Sequence, residues 1–193
     1  MEITLRFHCA TDRTTPLAYG FSAESAKLVH LVRHGQGIHN VEAALRGAEA
    51  YHNQALKDAS LDDTGRLQAS TLGQRIKEAQ MQVDVILVSP LTRTLQTATE
   101  MFPDAVKAIT KATQLRNYQN SKIASFTNSM ESLIPEVVPG YPSFIAIEMC
   151  REAHGGHPCD QRRSISVLRQ QFPHVDFRYI DTDEDTWHNP QRR

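Results

Sequence analysis

The chain reads as an α/β domain built on a mostly parallel sheet, and three features of the sequence say so. Short apolar runs at Lys27 to Val32, Val83 to Val88 and Phe144 to Met149 have the length of buried strands. Segments with helical spacing of apolar residues lie among them, giving the strand, helix, strand, helix order that parallel sheets require. Residues able to do chemistry follow each run directly, at the carboxyl ends of strands, where the ligands of such sheets bind.

Residues 1 to 26 hold no sustained period and contain Pro16 and Gly20, so they read as an irregular lead-in to a domain spanning 27–193. The strand Lys27 to Val32 ends in the turn Arg33-His34-Gly35. Thr64 to Ala79 places Ala69, Leu72, Ile76 and Ala79 on one helical face, with Ser60, Asp62 and Asp63 upstream as candidate caps. After the strand Val83 to Val88, Ser89 and Pro90 suit the N-cap and first position of a helix whose apolar stripe is Leu91, Leu95, Ala98 and Phe102. Ala105 to Pro142 is rich in Asn and Ser with prolines at 135, 139 and 142, and reads as a long excursion over the surface. Phe144 to Met149 is again a strand, leading into Cys150-Arg151-Glu152. Ser164 to Phe172 fits a short helix, and Asp181 to Arg193 turns acidic and then polar.

Composition removes several classes of function. The 193 residues are 40% hydrophobic and 22% charged, a globular balance, and 21 Lys and Arg against 22 acids leave a formal charge of -1. Without a global basic field, neither a nucleic acid nor an anionic membrane is an expected partner. No apolar run approaches the roughly 20 residues of a membrane span, and the charged N-terminus lacks the apolar core of a secretory signal. Three cysteines, Cys9, Cys150 and Cys159, are too few for a disulfide framework. A cytoplasmic or nuclear location follows as the expectation.

Arg33, His34, Gly35 and Asn40 lie close together after a buried run. An imidazole fixed in such a turn is a competent nucleophile toward phosphorus when one ring nitrogen is bare and the other is held by a hydrogen bond. An adjacent guanidinium provides the planar fork that grips a phosphoryl dianion. Arg93, at the start of a helix, would add a second cation where a helix N-terminus already favours anions. Glu152 follows the third apolar run, where a carboxyl could protonate a departing alkoxide. Each residue alone has a plainer reading, as a turn histidine, a solvated arginine or a surface acid. Arg162 and Arg163 are two further cations that could contact an anionic substrate, and are more simply read as solvated.

Taken together, these segments form a pattern. Arg33-His34-Gly35-Gln36-Gly37-Ile38-His39-Asn40 resembles the Arg-His-Gly signature of the histidine phosphatase superfamily, the phosphoglycerate mutase-like proteins. Ser89-Pro90-Leu91-Thr92-Arg93-Thr94-Leu95-Gln96-Thr97-Ala98 resembles its second phosphate-binding segment. The stretch from Cys150 to Asp160, with Arg162, Arg163 and Ser164, resembles the general-acid segment of small eukaryotic members. The likeness runs in order through residues 27 to 190. It implies a three-layer α/β sandwich, a phosphatase or mutase-like activity on a small phosphorylated metabolite, and no cofactor. It also implies that His34 is phosphorylated, that Arg33, Asn40 and Arg93 hold the phosphoryl group, and that Glu152 protonates the leaving oxygen and then activates water.

Two departures stand out. Gln36 occupies a position where many members carry glutamate. Members also place a second histidine at a strand end downstream of the general-acid segment, and no such strand precedes Arg193. The expectation is therefore a domain lacking its C-terminal strand, with impaired activity, and the alternative is a phosphoester-binding protein without turnover. Cys150, His154, His157 and Cys159 form a competing zinc-like set, disfavoured by Pro158 between two of the ligands. Gly35-Gln36-Gly37 begins a dinucleotide fingerprint that Asn40 interrupts at the third glycine position.

Overall fold

Val85–Val88 (β1), Ser143–Ala146 (β2) and Val175–Asp176 (β3) pair as one parallel sheet in the order β1-β2-β3. They do so in a computed structural model that describes residues 28–123, 134–152, 156–189 and 191. The register sets Ile86 beside Phe144 and Val88 beside Ala146, and Phe144 beside Val175. Alternation along each strand sends these side chains to one face. There they meet Leu95 and Ala98 of α3 (Thr92–Met101), Ala105 and Ile109 of α4 (Pro103–Ile123), and Ile165 and Leu168 of α5 (Ile165–Gln171). On the other side of β1, Val85 and Leu87 are exposed. The protein is thus α/β with a parallel sheet. Among the described residues, no helix is long and apolar enough to cross a membrane.

Contacts divide the chain into two units, residues 1–32 and 33–193. Of the first, residues 28–32 are described; the lead-in expected over 1–26 lies outside the described residues. Residues 28–32 form no strand, and Leu28, Val29, Leu31 and Val32 are exposed. An apolar run records the ability to be buried, whereas a strand exists only when a neighbouring edge accepts its backbone hydrogen bonds.

Within the second unit, α1 (Ile38–Arg46) and two 3-10 turns, Ala48–His52 and Gln54–Leu56, precede α2 (Asp63–Glu78). The Asp62 carboxylate accepts the Gly65 amide at 2.7 Å and caps α2. The buried face of α2 is Gly65, Ala69 and Gly73, not the expected Leu72 and Ile76, which are half-buried. Small residues four apart let α2 press against its neighbour so closely that a methyl group at Gly73 would lie 2.2 Å from the Met101 carbonyl oxygen.

The largest departure from expectation is α4, a 21-residue helix where a surface excursion was read. The Asn, Ser and Pro of the wider 105–142 stretch, most of them beyond the helix, hide a narrow stripe at four-residue spacing, Ala105, Ile109 and Thr113, all buried. The chain then returns along the helix, with the Glu136 amide donating to Thr113 Oγ1 at 2.9 Å and Arg116 paired to Glu136 at 3.0 Å. Residues 124–133 of that stretch lie outside the described part.

His174 is buried at the start of β3, its ring edge-on to Phe144 with centroids 5.0 Å apart and Nε2 3.1 Å from Thr99 Oγ1. Burial lowers its pKa from 6.5 to about 4. The unfolded chain therefore binds a proton that the folded chain refuses. Stability from this residue is complete above pH 6.5 and is lost as pH falls toward 4, by up to about 3 kcal/mol. His174→Phe, which keeps the ring and removes the titration, is expected to flatten the loss of stability between pH 6.5 and 4, as read from urea unfolding across that range.

Candidate active site

The loop at residues 33–37 is clamped from three directions. The Gly35 amide donates to Thr97 Oγ1 on α3 at 3.1 Å, the Gln36 amide donates to Gln68 on α2 at 2.9 Å, and the Asp62 amide donates to the Gln36 carbonyl at 3.0 Å. Two glycines permit this. A methyl group on Gly65 would lie 2.1 Å from the Gln36 oxygen, and one on Gly35 would lie 2.4 Å from the Gly65 oxygen. Loop and helix backbones touch directly, which fixes the His34 backbone without a large side chain between them.

The His34 side chain is 5% exposed. Its Nδ1 lies 2.6 Å from the Gly35 carbonyl oxygen, to which an Nδ1–H donates. That tautomer leaves Nε2 as the free ring nitrogen, and Nε2 faces Glu152 Oε1 at 3.7 Å. At that separation there is no full hydrogen bond, and the contact is an ion pair only when Nε2 carries a proton as well. Gly37 caps α1, and Asn40 Oδ1 accepts the Gly37 amide at 2.9 Å, so Asn40 holds the loop that carries His34. Arg33 is exposed, yet its charge reaches both His39 and Glu152.

Arg93 enters from α3, whose start corrects the sequence reading. The helix begins at Thr92 with Leu91 as N-cap, so Ser89 and Pro90 belong to the preceding turn. The cap comes from far away in sequence. Asp58, fully buried, accepts the Thr92 amide at 2.8 Å and the Thr92 hydroxyl at 2.6 Å. Burial raises its pKa while these bonds oppose the rise. Arg93 is itself 1% exposed. It donates to the Cys159 carbonyl and to Asp160 Oδ1 at 3.0 Å, and Nη2 stands 3.9 Å from Glu152 Oε2.

Glu152 thus lies between His34 and Arg93. His34 first, then the Arg93 and Arg33 guanidiniums, hold its pKa down to about 2, while burial works the other way. In the free site it is a carboxylate at neutral pH.

Arg162 was read as a solvated or substrate-facing cation, and it is neither. Its side chain is fully buried, bonded to Glu148 at 2.7 Å and to the Asp183, Thr182 and Glu184 carbonyls at 2.6, 2.9 and 3.0 Å. Arg151 bonds Asp185 through both terminal nitrogens at 2.8 and 2.9 Å and Glu148 at 3.0 Å. These two arginines tie the 181–188 segment to the backbone that carries Glu152. Arg163 turns to Asp58, with Nε 3.5 Å from the carboxylate. Sequence reasoning passed over Asp58, Thr97, Glu148, Asp160 and Asp185. Thr97 and Asp160 lie inside the motif segments and Glu148 three residues before Arg151, whereas Asp58 and Asp185 are distant in sequence from the arginines they pair with and gave no local signal.

Among the described residues, no group of three His, Cys, Asp or Glu side chains is placed to hold a metal ion. Cys159 is buried, its thiol pushed up to about 12 by burial first and by Asp160 next, whereas Cys150 is exposed. His154, the remaining member of the zinc-like set with His157, lies outside the described residues.

Comparison with known proteins bears on the family of the chain. The family model of the histidine phosphatase superfamily (branch 1) matches residues 29–135. A phosphoglycerate mutase-like protein of Arabidopsis thaliana is 37% identical over 172 residues, covering 86% of this chain and 59% of the relative. Phosphoglycerate mutase-like protein 1 of the same plant is 37% identical over 161 residues, 82% of this chain and 54% of the relative. A probable phosphatase of Schizosaccharomyces pombe is 37% identical over 71 residues, 37% of this chain and 30% of that protein. The chain spans little more than half the length of the Arabidopsis proteins. No solved structure matches it significantly.

Removing one partner from a buried ion pair typically costs about 3–5 kcal/mol, because the other charge stays buried. Asp185→Asn is expected to lower the unfolding free energy by about 3 kcal/mol, the low end of that range, since Glu148 still faces Arg151. Replacing Arg151 and Asp185 together with apolar residues should cost less than the single change. Urea denaturation of the three proteins checks both statements.

Proposed function

The chain belongs to the histidine phosphatase superfamily (branch 1), and we propose that it transfers the phosphoryl group of a small phosphomonoester to water through a phosphorylated His34. One observation carries the reading. A buried imidazole with Nδ1 anchored on Gly35 turns Nε2 toward Glu152, and Arg93 stands 3.9 Å from the same carboxylate.

The chemistry then runs in two displacements. His34 Nε2 attacks phosphorus, a P–N bond forms and the P–O bond to the leaving group breaks; Glu152 gives its proton to the departing oxygen. Water next attacks phosphorus, a P–O bond forms and the P–N bond breaks; the Glu152 carboxylate takes the proton from that water. Arg33 and Arg93 compensate the charge on the transferring group, and Asn40 holds the loop. Phosphoryl transfer asks mainly for such positioning and charge compensation.

Glu152 must be protonated for the first displacement, and at about 2 in the free site it is not. A phosphoryl dianion placed between His34 and Arg93 removes the contacts that stabilise the carboxylate and adds negative charge beside it. Both changes raise its pKa. Substrate binding would thereby convert Glu152 into an acid. Hydrolysis is favoured over transfer to a second hydroxyl, because hydrolysis needs no second acceptor site.

Rapid-quench labelling with a 32P-phosphomonoester panel is expected to trap an acid-labile phosphohistidine that disappears in His34→Ala. Measurable phosphate binding with no label would support the binding-only reading. Glu152→Gln should slow turnover of alkyl phosphates by about 10²–10⁴-fold. It should slow formation of the phosphoenzyme from p-nitrophenyl phosphate far less, since nitrophenolate leaves without a proton. Equal losses on both substrates would remove Glu152 from the acid role.

A further inference from the structure

Among the described residues, two buried side-chain nitrogens lack a hydrogen-bond partner: His39 Nδ1 and Arg93 Nε. An unpaired buried polar atom costs about 1–3 kcal/mol, so native proteins rarely keep one without a use. Arg93 is among the charges that act on His39, so the two unpaired nitrogens belong to neighbouring residues. The His39 ring is 4% exposed and lies with its centroid 5.6 Å from that of His34, tilted by 48°. Tyr51, from the turn Ala48–His52, backs it at 6.2 Å. Gly37 makes room for it: a methyl group there would sit 2.4 Å from His39 Cε1 and 2.5 Å from Nδ1.

We propose that His39 is a second imidazole of the phosphate pocket, an uncharged hydrogen-bond donor that shares the bound phosphoryl group with Arg93. This rests on the reading of His34 and Arg93 given above and adds a binding residue to it. The charged groups facing His39 come from every element around it: Arg93 on α3, His34 and Arg33 on the loop, and Glu152 on the general-acid segment. Burial first, then Arg93 and His34, lower its pKa to about 4, with Glu152 opposing. A neutral ring suits the place. A third cation beside Arg33 and Arg93 would be repelled in the empty site, whereas an N–H donor adds no charge and still bonds an oxyanion.

Binding of inorganic phosphate to the full chain tests this without relying on turnover. His39→Phe, which keeps the ring and removes the donors, is expected to weaken phosphate binding about tenfold in calorimetry, the effect of losing one hydrogen bond to a charged group. His39→Gln should recover part of that loss, and Gly37→Ala should mimic it by displacing the ring. NMR titration of the histidine rings gives a readout that a purely structural residue would not move. Saturating phosphate should raise the His39 pKa by a unit or more from about 4. His174, equally depressed but packed on Phe144 in the core, should stay in place and report that each variant is folded. Unchanged affinity in His39→Phe together with an unmoved His39 titration would overturn the proposal while leaving the His34 reading intact. Absence of phosphate binding by the unaltered chain would overturn both.

Discussion

The site hangs on one buried guanidinium. Arg93 is 1% exposed, and a charge so far from water persists only when its donors are taken up by acceptors of opposite sign. Asp160 and the Cys159 carbonyl take two of them, and Glu152 stands just beyond hydrogen-bond range. These acceptors come from a segment some sixty residues away in sequence. Neutralising Arg93 therefore docks the segment bearing Glu152 onto the helix bearing Arg93. The Arg93 backbone also takes part, since its carbonyl accepts the Thr97 hydroxyl at 2.8 Å, and that same hydroxyl accepts the Gly35 amide. Helix α3, the loop carrying His34 and the segment carrying Glu152 are thereby joined through one residue and its neighbour a turn away.

Such a centre needs a rigid frame, and the frame is also ionic. Arg151 and Arg162, both nearly inaccessible, gather Glu148, Asp185 and three backbone carbonyls from the 181–188 segment. Removing a single member would strand a buried charge, so the network is sensitive to substitution although its net worth against an apolar core is modest. Asp58 plays a similar part for α3. It caps the helix from outside the local sequence and pairs with Arg163. Charges thus gather locally in a chain of near-zero net charge: Arg93 is compensated by Asp160, and Arg151 by Asp185 and Glu148.

Much of the architecture was legible from local signals. The runs at Val85–Val88 and Ser143–Ala146, the cap Asp62 and the helix Ile165–Gln171 lie within a few residues of the positions that periodicity and capping chemistry indicate. The misses share a cause. Helix α4 was hidden inside a longer stretch, Ala105 to Pro142, whose Asn, Ser and Pro lie mostly at or beyond the end of the helix, yet a helix needs only one stripe to be buried, and Ala105, Ile109 and Thr113 provide it. Residues 28–32 looked like a strand because they are apolar, yet pairing requires an edge. Ser89 and Pro90 looked like a helix start because their types are right, while the actual cap, Asp58, lies 34 residues from Thr92.

What the sequence determined by itself was chemical identity: an imidazole after Arg33, a guanidinium at 93, a carboxyl at 152, in the order that resembles the histidine phosphatases. Residue type and spacing are local properties, and a linear chain displays them. Tertiary structure alone decided which charges are solvated and which are spent on one another, because desolvation depends on every atom within a few ångströms and not on sequence neighbours. Arg162 and Arg163 are adjacent in the chain, yet one is wholly buried in the frame and the other half-exposed beside Asp58. The sequence does not distinguish His39 from its neighbours in the motif; its burial, its unpaired nitrogen and its closeness to His34 are set by the fold.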